Sequence, residues 1–242
     1  MAVVSTFVVD EAEIEPARED GDTAEVKVTF DASNGCEHLE QRVIRFAPGR
    51  SRERTLEGRH ELLYVVAGSG ALDLEGSRHA LEPGTGAFIA PGETSAVENP
   101  GPEELLAVSV LATAEEGVAD ARRRVTVRFG DQPELMASTE RTFRYLINQD
   151  AGCLDVTQFI GIVQPSKAPF HSHPYEELGY IVTGEGVAHL GGQSVPLRPG
   201  SCFYLPPEKV HCIENVGPEP MHILGVFHPS DSPASRVYQD NK

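Results

Sequence analysis

The segment HSHPYEELGYIVTG, which runs from His171 to Gly184, carries the clearest pattern in this 242-residue chain. It places His171, His173 and Glu177 at the spacing H-x-H-x3-E. All three positions have odd numbers, and side chains alternate between the two faces of a β-strand, so the three side chains are predicted to share one face. Two imidazoles and a carboxylate that converge in this way outline a metal site.

A second segment, PGSCFYLPPEKVHCIEN at residues 199–215, adds His211 and Asn215. Together the two segments resemble the paired motifs of the cupin superfamily, G-x5-H-x-H-x3,4-E-x6-G and G-x5-P-x-G-x2-H-x3-N. The matching positions are His171, His173, Glu177 and Gly184 in the first motif, and Gly200, Pro206, His211 and Asn215 in the second. Two turn positions depart from the motifs, because Pro165 and Glu208 stand where each motif has a glycine.

The resemblance implies an all-β fold, in which a jelly-roll-like double-stranded β-helix forms a small barrel of two antiparallel sheets. It also implies that four side chains inside the barrel bind one divalent metal ion per chain: His171, His173, Glu177 and His211. Fe, Mn and Ni are the usual occupants, and Zn and Co stay open. Since neutral imidazole is the form that binds metal, the unperturbed histidine pKa predicts loss of the metal below about pH 6.

The chain repeats itself at an offset of 116 residues. Glu61-Leu62 recurs as Glu177-Leu178, and without a gap the same offset aligns Pro83-Gly84 with Pro199-Gly200. A repeat of this kind predicts tandem copies of one structural unit. We therefore predict two cupin barrels, an N-terminal one at residues 1–111 and a C-terminal one at residues 125–242, joined by a linker at residues 112–124. The last 13 residues are predicted to form a polar tail with a short helix after Pro233.

The two barrels differ in their chemistry. The offset places Thr55, Glu57 and Ser95 at the three histidine positions, and only Glu61 keeps its ligand residue. Two carboxylates and two hydroxyls would bind a hard cation only weakly. His60 does not compensate, because its parity is opposite to that of Glu61 and it is expected to point out of the barrel. We therefore expect the N-terminal barrel to be a scaffold without a metal.

Tyr175 lies between His173 and Glu177, near the predicted mouth of the C-terminal barrel. Its phenol could donate a hydrogen bond to a bound oxyanion, or it could only pack. Tyr175 and Glu177 are the candidate catalytic residues, with Glu177 able to leave the metal and act as a base. Glu176 is the alternative ligand, but parity and spacing favour Glu177. The other histidines of this half have no motif role and are expected at solvent-facing or tail positions: His189, His222 and His228.

The composition limits the classes of molecule that this protein is expected to bind. The formal net charge of −17 argues against nucleic acid and against anionic membrane surfaces, whose phosphates would be repelled. No run reaches the roughly 20 apolar residues of a membrane span, and the N-terminal sequence lacks the basic region of a signal peptide. Four cysteines without a C-x-x-C pair indicate a reduced, cytoplasmic protein. We expect a monomer or homodimer whose partner is a small-molecule substrate.

The resemblance leaves the reaction open, because a fold does not fix a function. Our first hypothesis is a metal-dependent enzyme that acts on a small oxygen-rich molecule, with a quercetinase-like dioxygenase as the leading candidate. In that chemistry the metal binds the deprotonated substrate as a Lewis acid. The alternatives are a non-redox lyase or isomerase, a hydrolase similar to ureidoglycine aminohydrolase, and a non-catalytic small-molecule-binding metalloprotein.

Overall fold

The computed structural model describes residues 7–238, and its regular structure is almost entirely β-strand. The strands of the first half are β1 Val8–Asp10, β2 Ala17–Arg18, β3 Ala24–Phe30, β4 Leu39–Phe46, β5 Gly49–Arg50, β6 Arg54–Thr55, β7 Arg59–Ala67, β8 Gly70–Leu74, β9 Ser77–Leu81, β10 Thr85–Ile89, β11 Thr94–Asn99 and β12 Leu105–Thr113. Those of the second half are β13 Thr126–Arg128, β14 Leu135–Ser138, β15 Arg141–Ile147, β16 Thr157–Val163, β17 Ser166–Lys167, β18 His171–Ser172, β19 Glu176–Thr183, β20 Gly186–Leu190, β21 Gln193–Leu197, β22 Ser201–Leu205, β23 His211–Asn215, β24 Met221–His228 and β25 Val237–Tyr238.

Helical structure is confined to short 3-10 turns. They lie at Glu11–Glu13, Ala32–Asn34, Asp120–Arg122, Phe129–Asp131 and Gln149–Ala151, and the described range contains no α-helix. The predicted all-β fold is therefore confirmed. Across residues 7–238, no helix has the length and apolar character needed to cross a bilayer.

The sequence of β4, LEQRVIRF, illustrates why these segments form strands. Leu39, Gln41 and Val43 are buried, while the side chains between them are partly exposed, as the alternation of a half-buried strand requires. In contrast, β10 and β22 are buried at every position. Both faces of each strand are covered, because one faces the interior of its own barrel and the other packs against the opposite barrel.

Each half of the chain forms two antiparallel sheets. The sheets of the first barrel have the orders β13-β10-β7-β12-β4-β3-β2 and β5-β11-β8-β9, with β6 beside β11. The sheets of the second barrel have the orders β1-β22-β19-β24-β16-β15-β14 and β21-β20-β23-β18-β25, with β17 beside β23. The matching orders, in which β10-β7-β12-β4 corresponds to β22-β19-β24-β16, confirm the prediction of two tandem barrels.

The two barrels exchange edge strands. The N-terminal strand β1 joins the second barrel, where Val8 pairs with Phe203 of β22. Conversely, β13 joins the first barrel, where Val127 pairs with Gly86 of β10. Our division of the chain at residues 111 and 125 stays a prediction. β1 lies in the segment assigned to the N-terminal barrel but pairs with a strand of the second barrel. β13 lies in the segment assigned to the C-terminal barrel but pairs with a strand of the first barrel.

The largest apolar cluster lies between the barrels. It combines side chains of both seven-stranded sheets, including Leu62, Phe88 and Val108 from the first half and Leu178, Tyr204 and Leu224 from the second. Smaller clusters fill the interior of each barrel. Because burial of apolar surface is the main stabilising contribution to folding, the two halves are expected to unfold together.

The repeat extends to individual hydrogen bonds. The Asn99 side-chain amide donates to two main-chain carbonyl groups at 2.8 Å, and its oxygen accepts from the Gly101 amide at 2.8 Å. Asn215 makes the same three bonds at 2.8, 2.9 and 2.9 Å, the last with the Gly217 amide. The asparagine of the second motif therefore fixes a turn.

One departure from the motif occupies strained backbone. Glu208 has φ 59°, in the left-handed region that favours glycine, and Gly92 has φ 79° at the matching position of the first barrel. The Glu208 N–H donates to the His173 carbonyl at 2.8 Å, which fastens the turn beside the candidate site. The second barrel thus keeps the turn without the glycine, at a cost of about 1 kcal/mol.

Candidate metal centre

The four predicted ligands line one cavity of about 70 Å³ inside the second barrel. His171 begins β18, Glu177 lies in β19 and His211 begins β23, while His173 is in the connection between β18 and β19. Antiparallel pairing of β18 with β23 sets His171 directly opposite His211. Two paired strands of one sheet, β18 and β23, and β19 of the other sheet therefore bring together residues that are up to 40 positions apart in the sequence.

The four side chains lie close together and are shielded from water. His173 Nε2 is 3.2 Å from Glu177 Oε2. The ring of His211 has its centroid 4.5 Å from that of His171 and 4.8 Å from that of His173. All three histidines are buried, and the side chain of Glu177 is 13% exposed. This donor set suits Fe, Ni, Zn and the harder Mn.

Hydrogen bonds orient the three rings in the same way. Each ring has Nδ1 within 3.0 Å of a main-chain carbonyl oxygen two residues away: His171 with Pro169, His173 with Tyr175, and His211 with Lys209. A carbonyl only accepts, so Nδ1 carries the proton and Nε2 presents a lone pair, as in metal-binding histidines. Nε2 of His173 is buried without a hydrogen-bond partner among the described residues. A metal ion would accept the lone pair of this nitrogen.

The two adjacent glutamates of β19 point to opposite sides, as their parity predicts. Glu177 lines the cavity. Glu176 is turned away from it, is 2% exposed, and accepts hydrogen bonds from the main-chain amides of Glu37, His38 and Leu39 at 3.0, 3.2 and 3.3 Å. Glu176 therefore joins the two halves of the chain, which leaves Glu177 as the candidate ligand.

Tyr175 is packed in a stack beside the candidate ligands. Its ring lies 4.1 Å from that of His173 and 4.1 Å from that of Phe227, nearly parallel to both. Its hydroxyl donates to the Ser235 carbonyl at 3.4 Å. Burial, followed by the charge of Glu177, raises the pKa of Tyr175, so the phenol keeps its proton. Its catalytic role stays a prediction.

The C-terminal segment forms part of the wall of this cavity. Pro233 and Arg236 line the cavity, and β25 pairs with β18. The predicted helix after Pro233 is wrong, because the Ser235 N–H donates to the Ser232 carbonyl in a turn before the chain extends into β25. Residues 239–242 of the predicted tail lie outside the described residues.

Two arginines in the cavity wall were missed by the sequence analysis. Arg141 is 8% exposed and Nη2 donates to the Ile213 carbonyl, and Arg236 reaches the same cavity from the C-terminal segment. Burial, followed by the charge of Arg236, lowers the pKa of Arg141 to about 10. No local pattern marks either residue, because the order of the sheets brings both to the cavity.

The space beside Gly179 is filled by protein. A Cβ atom at this position would lie 2.0 Å from the Phe203 ring, which is part of the cavity wall. The glycine therefore makes room for an aromatic side chain of the cavity wall.

The corresponding region of the first barrel is smaller and lacks histidine. Its cavity has about 20 Å³ and is lined by Glu61 and Ser95, whereas Thr55 and Glu57 are exposed. Glu61 accepts a hydrogen bond from the Ser109 hydroxyl at 2.5 Å. His60 points away from this cavity, as predicted, and Nε2 lies 2.7 Å from Asp155 Oδ2 of the second half.

Metal retention should resist acid further than the unperturbed histidine pKa suggests. Burial, followed by neighbouring histidines, lowers the pKa of His171 to about 3 and that of His211 to about 4. Both rings therefore stay neutral, the ligand form, until the pH approaches these values. We expect metal content to be flat between about pH 7 and 5, with the steepest loss between about pH 4 and 3.

Equilibrium dialysis with elemental analysis at each pH tests this expectation. The unfolded chain takes up protons near pH 6.5 while the folded site does not, so the stability of the metal-free protein decreases as the pH falls from about 6.5 toward 4. Circular dichroism must therefore show that each sample is folded. Complete loss of the metal by about pH 5.5 from folded protein would contradict the expectation.

Comparison with curated proteins gives two short matches. The chain is 37% identical over 63 residues to an oxalate-binding protein of Thermotoga maritima, which is 26% of this chain and 52% of that protein. It is also 37% identical over 65 residues to an uncharacterized protein of Methanocaldococcus jannaschii, with the same coverage. The chain therefore spans about half the length of the curated relatives that it matches.

Solved structures match over nearly the whole chain. A putative glyoxylate-induced protein of Pseudomonas aeruginosa has a TM-score of 0.78 at 20% identity, covering 97% of this chain and 91% of that one. An oxalate decarboxylase mutant of Bacillus subtilis has a TM-score of 0.75 at 14% identity, covering 98% and 80%. At these identities the likeness concerns the fold. The cupin domain family itself matches residues 42–111 and 159–227, once in each barrel, and the chain therefore belongs to the cupin family.

Proposed function

We propose that the second barrel binds one divalent metal ion through His171, His173, Glu177 and His211, and that this centre binds a small carboxylate anion of the oxalate class. The observation that carries the proposal is the pair of guanidinium groups that share the cavity with the four candidate ligands. The metal would supply a Lewis acid for one carboxylate of the ligand. The arginines would hold its other end.

The charges in the cavity favour an anion. A dication with one carboxylate ligand is positive, and Arg141 and Arg236 add two further charges. Among the described residues, neither arginine forms an ion pair with a carboxylate. Arg141 is buried with a neutral main-chain carbonyl as its hydrogen-bond partner, and a buried cation without an opposite charge is costly. A carboxylate ligand would reduce this cost through the bidentate geometry that guanidinium groups offer.

The size of the cavity favours a small anion. Each water molecule needs about 10–15 Å³ of such space, so about 70 Å³ holds roughly five to seven water-sized groups. An oxalate-sized acid fits this space. A flavonol is several times larger and would require the C-terminal segment to move away, which makes a quercetinase-like dioxygenase the less supported hypothesis.

The comparisons are consistent with this ligand class. One curated relative is an oxalate-binding protein, and one structural neighbour is an oxalate decarboxylase. Among the described residues that line the cavity, Glu177 is the only carboxylate, so this part of the lining offers no second carboxylate as a general acid. Binding is therefore the first function that we propose, and turnover of the same acid by a metal-dependent enzyme, with Glu177 and Tyr175 as candidate groups, is the second.

Isothermal titration of Mn(II)-loaded protein with oxalate, acetate and a flavonol tests the proposal. We expect oxalate to bind most tightly and the flavonol not to bind. Arg236→Gln should weaken oxalate binding by about 10- to 100-fold, because a charge-assisted contact contributes roughly 1.5–3 kcal/mol. Arg128→Gln is the control, since Arg128 is an exposed arginine outside the cavity that pairs with Glu82 at 2.6 Å.

Two further assays separate binding from turnover. Oxygen consumption and release of CO2 are measured with oxalate in the presence of Mn(II) or Fe(II). Stoichiometric binding without either product supports a binding protein, and sustained product formation supports the enzyme. Tighter binding of the flavonol than of oxalate, or unchanged oxalate affinity in Arg236→Gln, would overturn the proposed ligand class.

A further inference from the structure

A second cluster of metal-compatible side chains lies between the two halves of the chain, outside the cavity of the second barrel. His38 comes from the first half, Glu115 follows β12 in the connection between the halves, and His228 ends β24. The ligand atoms of the three residues lie within 4.8 Å of one another. The rings of His38 and His228 stack with their centroids 4.4 Å apart. His38 Nδ1 is 3.7 Å from Glu115 Oε1.

His228 is the member of this cluster that most needs a partner. From the sequence we expected it in a solvent-facing or tail position, but it is 4% exposed. Neither of its ring nitrogens has a hydrogen-bond partner among the described residues. A buried polar atom without a partner costs about 1–3 kcal/mol. In the neutral ring one nitrogen keeps a free lone pair, and a metal ion would satisfy it.

Two buried carboxylates of the second half hold the segments that carry the other two residues. Glu176, which is paired with His228 across neighbouring strands, accepts a hydrogen bond from the His38 main-chain amide at 3.2 Å. Asp155 accepts one from the Glu115 amide at 3.2 Å. The backbone on both sides of His228 is therefore fixed before any ligand binds, which is the preorganisation that a metal site requires.

The surroundings attract cations. A solvent-connected cavity of about 480 Å³ lies against His228, and its wall includes Glu115, Glu116, Asp155 and Asp231. These carboxylates favour the approach of a hydrated dication. The carboxylate of Glu37 also lies 3.8 Å from His38 Nε2.

We propose that His38, Glu115 and His228 form a second divalent-metal site that joins the two barrels. Two imidazoles and one carboxylate suit an ion of the Zn(II) class, with water completing the coordination. The site has three protein ligands and is partly open to solvent, so it binds its ion more weakly than the four-ligand cavity. The single metal ion predicted from the sequence, in the four-ligand cavity, is the more tightly bound of the two ions.

Titration with Zn(II) tests the second site independently of the first. Metal-free His211→Ala protein, which lacks one ligand of the four-ligand cavity, should take up one equivalent of Zn(II) and show a higher melting temperature. Adding His38→Gln or Glu115→Gln should weaken this binding at least about tenfold and abolish the rise in melting temperature. Both residues are accessible, with 35% and 55% of their side chains exposed, so these variants should fold.

Two controls and a second readout make the result decisive. His79→Gln changes a partly exposed histidine on β9 outside both clusters and should leave binding intact. Ca(II), which prefers oxygen ligands, should bind far more weakly than Zn(II). The unaltered protein should take up two equivalents of Zn(II), and His38→Gln protein one.

The inference fails if Zn(II) saturates the unaltered protein at one equivalent. It also fails if the second equivalent survives both His38→Gln and Glu115→Gln. Binding of Ca(II) with equal affinity would assign the ion to the carboxylates around the cavity and would likewise overturn the proposal. None of these outcomes depends on the small acid proposed for the second barrel.

Discussion

Replacing His211 with alanine is expected to strip the metal from the second barrel while leaving the fold in place. His211 approaches the cavity from β23, opposite His171 of β18, and it is 2% exposed. Its removal takes away one of four ligands and opens one coordination position. Because loss of a partner that merely orients a ligand already costs about 10- to 100-fold in metal affinity, loss of the ligand itself should cost at least about 100-fold.

The first barrel supplies a matched control. Ser95 is the residue 116 positions earlier, it lines the small cavity of that barrel, and it is 8% exposed. Ser95→Ala should leave the metal content near one tightly held equivalent. Elemental analysis and thermal melts of both variants, side by side, distinguish loss of the metal from loss of the fold. Retention of the tightly held equivalent by folded His211→Ala protein, or its loss from Ser95→Ala protein, would mean that the working site is assigned wrongly.

The largest loss of stability from a single polar residue is expected for Glu176→Ala. The Glu176 carboxylate is buried between the halves and accepts hydrogen bonds from three consecutive main-chain amides, those of residues 37–39. Alanine would leave three amide donors without a partner, each costing about 1–3 kcal/mol. We expect the free energy of unfolding to fall by about 3–5 kcal/mol, and the melting temperature by about 10 °C.

Two comparison variants identify the cause of this loss. Glu176→Gln keeps an oxygen acceptor and should lose about half as much. Glu37→Ala changes a glutamate whose side chain is 84% exposed and should have almost no effect. Chemical denaturation of the three variants gives the energies. A loss below about 1 kcal/mol for Glu176→Ala would mean that the three hydrogen bonds contribute little to the junction.

The parts of the site that follow local rules could be predicted from the sequence. Strand alternation separates Glu177, which lines the cavity, from Glu176, which faces the other half. The same rule places His60 outside the first barrel. The spacing within residues 171–177 and the position of His211 in the second motif were enough to identify the four candidate ligands, although β19 belongs to one sheet of the barrel and β18 and β23 to the other.

The features that depend on packing between distant segments could not be predicted. Arg141 and Arg236 enter the cavity through the sheet order and the pairing of β25, neither of which has a local signal. β1 and β13 have three residues each, and nothing in such short segments says which barrel they complete. His228 has the sequence context of a strand end near a polar tail, and it is buried because the second barrel packs against the first.

The central claim is that one divalent metal ion is held in the second barrel and none in the equivalent place of the first. Anomalous diffraction from crystals of the protein loaded with one equivalent of Mn(II) tests it directly. We expect one strong peak bounded by Nε2 of His171, His173 and His211 and by the Glu177 carboxylate. Absence of a peak there, or a peak beside Glu61 and Ser95, would contradict the account.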